Sequence, residues 1–237
     1  MAGKKKQKHA IQTAARKLVT TEENTRSIVS EQFRTLRTNI NFSMPDKELK
    51  TFIFTSTSPG EGKSTVAANT AVVFAQEGKK VLLVDADMRK PTVHYTFHLT
   101  NTLGLSSLLT RQENMIDVVK PSEIENLKII TCGPIPPNPA ELIGSKTMER
   151  LLEEMKAHFD VIIFDAPPVL SVADAQILSN KCDGTILVLN AGETEKTGLV
   201  KAKESLVSSN ANIIGVVLNN FELNKDHYYY QYYASAE

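Results

Sequence analysis

Only two cysteines occur in the 237 residues, Cys132 and Cys182. Neither stands in a CxxC pair or at metal-ligand spacing, which excludes a disulfide scaffold and a cysteine metal site and fits reduced thiols in a cytoplasmic protein. Long apolar runs are also missing, and none approaches the ~18 residues that cross a bilayer. The amino terminus passes from lysines into AIQTAARKLVTTEE, which lacks the apolar core of a signal peptide. Any membrane association is therefore expected through a partner. Neither charge sign is in excess, with 27 Lys plus Arg against 27 Asp plus Glu, so no global signal for nucleic acid exists. Aromatic residues are scarce, at 6%. Any cluster of them is therefore not a product of composition.

What is present is enough apolar material for one domain, 41% of the chain. Charge is unevenly placed: Lys4, Lys5, Lys6, Lys8, Arg16 and Lys17 stand in residues 1–17 with no acid among them. Residues 1–26 are expected to form a basic, flexible, solvated segment. Short runs rich in Val, Ile and Leu predict strands over 51–56, 80–85, 127–131, 160–165, 185–189 and 213–218, with helices over 63–77, 145–157, 172–181 and 195–209. Strands with little alternation point to a mostly parallel sheet covered by helices on both faces. In such sheets ligands bind beyond the carboxyl ends of the strands.

The first predicted strand, Thr51–Ser56, runs into Thr57-Ser-Pro-Gly-Glu-Gly-Lys-Ser-Thr65 and then a helix. Strand, glycine-containing loop and helix in that order make a phosphate-binding P-loop. Glycines at 60 and 62 let backbone N–H groups close around phosphate oxygens, Lys63 neutralises the β- and γ-phosphates, and the Ser64 hydroxyl suits Mg²⁺. Ser58, Pro59, Gly60, Glu61, Gly62, Lys63, Ser64 and Thr65 are the candidate nucleotide-binding residues. The pattern asks for glycine where Thr57 stands.

Two further strands end in acids, Val81-Leu-Leu-Val-Asp85-Ala-Asp87 and Val161-Ile-Ile-Phe-Asp165-Ala-Pro-Pro168. Asp165 suits Mg²⁺ support. Asp85 or Asp87 is left to act on a nucleophile. Past the last strand, Asn219 and Asn220 either read an adenine edge or are ordinary loop residues. Before the sheet, residues 27–42 predict an amphipathic helix with an apolar stripe of Val29, Phe33, Leu36 and Ile40, and with Glu31, Arg34 and Arg37 on another side. After the sheet, residues 222–237 lose all apolar periodicity, and Tyr228, Tyr229, Tyr230, Tyr232 and Tyr233 supply five of the six tyrosines.

These pieces together resemble the bacterial tyrosine kinases of capsule and exopolysaccharide export (BY-kinases). The resemblance rests on Ser58–Ser64, Leu82–Arg89, Ile162–Pro168, Glu31-x-x-Arg34-x-x-Arg37, Gly133–Leu142 and the terminal tyrosines, and it covers residue 27 to the end. A threonine at 57 is that family's habit. The resemblance implies a three-layer α/β P-loop fold, with a kinase domain over 27–221 and a tyrosine tail over 222–237. It implies a non-specific protein-tyrosine kinase using ATP and Mg²⁺. Lys63, Asp85 and Asp87 would be catalytic, with Asp85 as the base. Ser64, Asp165 and Asp85 would serve the metal, and the five tail tyrosines would accept phosphate within a ring oligomer, an octamer, joined through Glu31, Arg34 and Arg37.

Its implied partners are a transmembrane activator whose cytoplasmic segment completes the ATP site, a protein-tyrosine phosphatase, and sugar-nucleotide enzymes as substrates. No such activator segment occurs in this chain, so the isolated protein is expected to be nearly inactive and to sit at the inner membrane face through its activator. Two other classes are a partitioning ATPase of the deviant-Walker type and a non-catalytic ATP-binding regulator. The former usually carries a second lysine near the start of the loop, where Ser58 stands here, and has no terminal tyrosine cluster.

Overall fold

Four segments bury every residue, apolar and polar alike: β1 (Thr51–Ser56), β2 (Val81–Asp85), β5 (Val161–Asp165) and β6 (Gly184–Asn190). Strands buried on both faces must be interior strands of a covered parallel sheet. The computed structural model, which describes Leu18, residues 27–45 and residues 49–221, has that arrangement. With β3 (Lys120–Pro121), β4 (Leu127–Ile130) and β7 (Ile213–Asn219), the strands form one seven-stranded sheet in the order β3-β4-β2-β5-β1-β6-β7. Only β3 is antiparallel, paired with β4 at the edge. The tyrosine cluster and all of the basic segment but Leu18 lie outside the described residues.

Alternation along each strand sorts the core into two layers. Phe52, Phe54, Val81, Leu83, Val161 and Ile163 face α1 (Ile28–Phe42) and α2 (Lys63–Gln76). Ile53, Leu82, Val84, Ile162 and Phe164 face α7 (Lys146–His158), α8 (Asp174–Lys181) and α9 (Lys196–Ser208). The same alternation puts Asp85 and Asp165 on the α2 side. Ala67, Ala68, Ala71 and Ala75 are buried along α2 and let it lie close on the strands. Phe74 of α2 stacks on Phe52 of β1 with centroids 6.0 Å apart, a pairing worth about 0.5–1.5 kcal/mol beyond its buried area.

Side chains fix the strand starts. Asp183 accepts from the N–H groups of Lys50 (3.2 Å) and Thr51 (3.0 Å) and from the Thr51 hydroxyl (2.7 Å), locking β1 to β6. Ser145 caps α7 by accepting from Met148 N–H at 3.2 Å. Four short helices were not predicted: α3 (Val93–Thr96), α4 (Leu105–Leu109), α5 (Met115–Val118) and α6 (Pro139–Gly144). Segments of this length span too few turns to show a 3.6-residue period.

Helix α1 corrects one expectation. Ile40 is buried and Phe33 and Leu36 pack on the α2-side core, but Val29 is 42% exposed. In the amino-terminal turn of α1 the buried position is Ser30 and not Val29, so the predicted stripe is filled only from its second turn onward. Among the described residues no helix is long and apolar enough to cross a membrane.

Candidate active site

The adjacency of β2, β5 and β1 brings three loops together at their carboxyl ends. Gly62 makes the turn into α2 with φ +91°, and a Cβ there would stand 2.0 Å from Asn219 Nδ2. No side chain caps the first turn of α2, so its free N–H groups remain for an anion. Thr57 is buried, and its N–H and hydroxyl each donate to the Glu61 carboxylate at 2.7 Å. Threonine in the glycine position is thus held by the loop itself. Ser58, Pro59 and Gly60 form the exposed crest.

Lys63 Nζ donates to Asp87 Oδ2 at 3.0 Å, Asp165 Oδ1 at 3.2 Å and Ser64 Oγ at 3.3 Å. Burial draws the Lys63 ammonium down, but the facing Asp165 and Asp87 outweigh it and leave lysine above its ordinary value. Asp87 feels burial upward, yet Lys63 and the N–H groups of Lys90 and Arg89 hold it below the usual carboxylate range. Asp87 is therefore a charged partner of the lysine and a weak base.

Asp85 differs. Its Oδ2 accepts from the N–H groups of Thr92 and Val93, each at 3.0 Å, and so latches the start of α3. Its Oδ1 accepts only a long bond from Asp87 N–H, at 3.3 Å. Burial first, and then the neighbouring Asp165 charge, push its pKa up to about 7. A carboxyl poised near neutrality suits proton transfer at neutral pH. Asp85 is both a helix cap and the best-placed proton acceptor of the group.

The turn after Asp165 is fastened to β1: Ala166 N–H donates to Phe54 O (3.0 Å), Val169 N–H to Ser56 O (2.8 Å), and the Thr55 hydroxyl to Pro167 O (2.7 Å). Asn219 Nδ2 donates to Glu61 O at 3.1 Å, and Asn220 Nδ2 to Asn190 Oδ1 at 2.9 Å. Both amides are thus engaged by protein atoms, and Asn219 braces the loop. Cys132, two residues past β4, is buried, and burial pushes its thiol up.

Charges on α1 do not act alike. Glu31 and Arg34 pair with each other at the surface. Arg37 instead donates to Val73 O at 2.8 Å and lies 3.7 Å from Glu77, at the carboxyl end of α2 in its own chain. A cation there meets the negative end of the helix dipole.

Two participants had no sequence signal. Buried Asp174 takes both Nε (2.9 Å) and Nη2 (3.0 Å) of Arg89, tying the loop after β2 to α8. Thr194, in the β6–α9 connection, donates from its hydroxyl to Glu61 Oε1 at 2.5 Å. Each partner lies more than eighty positions away along the chain, beyond any local motif.

Fold and site together define a P-loop nucleotide-binding domain. The family model described as AAA domain matches residues 49–212. The tyrosine-protein kinase YwqD of Bacillus subtilis is 52% identical over 212 residues, 90% of this chain and 89% of that protein. The crystal structure of the chimerical protein CapA2B2 matches with TM-score 0.84 and 44% identity, over 87% of this chain and 90% of the other. The kinase domain of the Escherichia coli tyrosine kinase ETK matches with TM-score 0.81 and 30% identity, over 88% and 83%. The chain belongs to the bacterial tyrosine kinases, as a BY-kinase domain.

Proposed function

We propose that this protein transfers the γ-phosphoryl group of ATP to tyrosine, with its own Tyr228, Tyr229, Tyr230, Tyr232 and Tyr233 as acceptors in trans within a ring, and so regulates capsule or exopolysaccharide synthesis and export. The observation that carries the reading is Lys63 standing between Asp87 and Asp165, with near-neutral Asp85 alongside. Phosphoryl transfer has a loose transition state, in which positioning and charge neutralisation contribute most.

The residues fit Mg²⁺. Asp165 Oδ2 is buried without a hydrogen-bond partner, and the Ser64 hydroxyl lies beside Lys63. Among the described residues no group of three His, Cys, Asp or Glu side chains could hold a metal alone. Mg²⁺ is a cation that commonly leans on one or two carboxylates plus phosphate and water. Ser64 and Asp165, with Asp85 behind, would hold it, and when bound it would neutralise charge on the phosphates.

The chain's own groups do the rest. N–H groups at the start of α2 and Lys63 bind the phosphates. The phenolic oxygen attacks the γ-phosphorus while the bond to the β,γ-bridging oxygen breaks, and its electron pair leaves with ADP. Tyrosine, with pKa near ~10, enters neutral and needs only late proton loss, and Asp85 takes that proton. Each phosphotyrosine then carries about −1.5 to −2 charge, which expels the tail from the neighbour's site and loosens the ring.

The chimerical nature of the solved relative CapA2B2 supports a second polypeptide as partner, and with it a transmembrane activator that brings this chain to the membrane. A phosphatase and sugar-nucleotide enzymes complete the proposed set. The test is incubation with Mg-ATP, with and without an activator's cytoplasmic segment, followed by phosphotyrosine detection. Phosphotyrosine that depends on Lys63 supports the reading, whereas free phosphate as the sole product would replace it with a partitioning ATPase.

A further inference from the structure

Glu61 lies inside the phosphate loop, yet its side chain turns away from the crest into the protein and is buried. Four donors converge on its carboxylate. Oε2 receives Thr57 N–H (2.7 Å) and Ser58 N–H (3.0 Å); Oε1 receives the hydroxyls of Thr57 (2.7 Å) and Thr194 (2.5 Å). Thr194 Oγ1 in turn accepts from Asn190 N–H at 2.8 Å, at the end of β6. The Glu61 carbonyl holds the Asn219 amide at 3.1 Å, at the end of β7. Residue 61 therefore joins the ends of β1, β6 and β7 through one position.

A carboxylate bonded to successive backbone N–H groups plays the part an anion plays in such loops. Here the anion belongs to the chain. It satisfies the first two N–H groups of the loop and leaves the later ones, toward α2, for a ligand. We propose that Glu61 is a positioning residue: its carboxylate holds the first turn of the phosphate loop in binding-ready shape before nucleotide arrives, and through Thr194 couples that shape to the β6–α9 connection. The inference rests on the nucleotide-site reading but not on what the phosphoryl group is transferred to.

Glutamine at 61 keeps the size and one acceptor oxygen but removes the charge, so the bonds from Thr57, Ser58 and Thr194 lose their charge assistance. Fluorescent-ADP titration of Glu61→Gln should show a dissociation constant raised at least about tenfold, in line with loss of charge-assisted hydrogen bonds. KM for ATP should rise similarly while kcat at saturation stays within about threefold, the pattern of lost ground-state binding. In the nucleotide-free chain, hydrogen exchange at Thr57 and Ser58 should accelerate in Glu61→Gln. Thr194→Val should weaken binding by about threefold, less than Glu61→Gln because the other three donors to Glu61 remain, and should lower the melting temperature slightly because Asn190 N–H loses its acceptor. In the double variant Thr194→Val should add less than it does alone.

Binding within twofold of the parent for either variant, unaltered exchange at Thr57, or strictly additive effects would each overturn the proposal. Should Glu61→Gln fail to fold, Thr194→Val carries the same binding and exchange tests. A parent chain that binds ADP but makes no phosphotyrosine would sink the kinase reading and leave this inference standing.

Discussion

Asp85 and Asp165 stand opposite one another at the last shared register position of β2 and β5. Two buried carboxylates side by side would repel, and the structure resolves this by dividing their surroundings. Asp165 faces the Lys63 ammonium, and Asp85 turns its Oδ2 onto the backbone of Thr92 and Val93. One acid stays with the cation. The other becomes basic enough to take a proton.

Lys63→Met should abolish labelling of the protein by γ-labelled ATP. It should also destabilise the nucleotide-free chain by about 3 kcal/mol, because Asp87 and Asp165 lose the cation they share. Chemical denaturation checks the second effect. Persistent labelling would remove Lys63 from the catalytic assignment.

Asp85→Asn keeps an acceptor for the N–H groups of Thr92 and Val93 and removes the base. A kcat loss of about 10²–10⁴-fold is expected, with little change in nucleotide affinity. Asp85→Ala should add a stability loss of about 1 kcal/mol as the α3 latch opens. Equal melting curves for the two variants would deny the latch.

Arg89→Ala leaves Asp174 buried and unpaired. Because the guanidinium is 42% exposed, the expected loss is roughly 2 kcal/mol, less than for a wholly buried pair. Arg89→Lys should recover only part of it, since lysine cannot make the two-pronged contact. Urea midpoints would measure both.

Asp183 gives a pH signature. Burial acts to raise its pKa, but the Thr51 hydroxyl and the N–H groups of Thr51 and Lys50 outweigh that and hold it below the ordinary value. A depressed folded-state pKa means stabilisation that is complete above the unfolded value, near ~3.9, and lost as pH falls through the folded one. Asp183→Asn should therefore lower the melting temperature at neutral pH, by an amount that shrinks as pH falls below the unfolded value. A pH-independent effect would show that the hydrogen bonds, not the charge, matter.

Variants of α1 separate assembly from folding. Arg34→Ala touches only the exposed pair with Glu31, so light scattering should show a smaller particle with an unchanged melting temperature. Arg37→Ala also frees Val73 O at the end of α2, and should lower the melting temperature as well. Identical mass for parent and Arg34→Ala would remove the pair from the proposed ring contact.

The central strands were legible because residues such as Val81–Val84 and Val161–Phe164 leave no polar face to expose. The acids ending them were legible for the same reason, as abrupt breaks in apolar runs. Helices α3 to α6 were not, being shorter than the period that reveals a helix. The roles inside the site were only half legible. Spacing marked Lys63, Asp85, Asp87 and Asp165, but not which acid the lysine would choose. Asp174 and Thr194 carry no local signal, since their meaning depends on strands meeting across the sheet. Val29 failed as a core residue because the buried face of that turn falls on the polar Ser30, which an apolar stripe does not register.

The lysine held by Asp87 and Asp165 has a thermodynamic consequence. In the nucleotide-free chain Lys63 serves as an internal counter-ion. A triphosphate that recruits it strips the two acids of their charge balance, and the vacated place then demands a cation of its own. Nucleotide and metal should accordingly bind as an exchange, each poorly without the other. ADP affinity should fall steeply when chelator removes divalent ions, and divalent ions alone should compete against the lysine for a place it already fills.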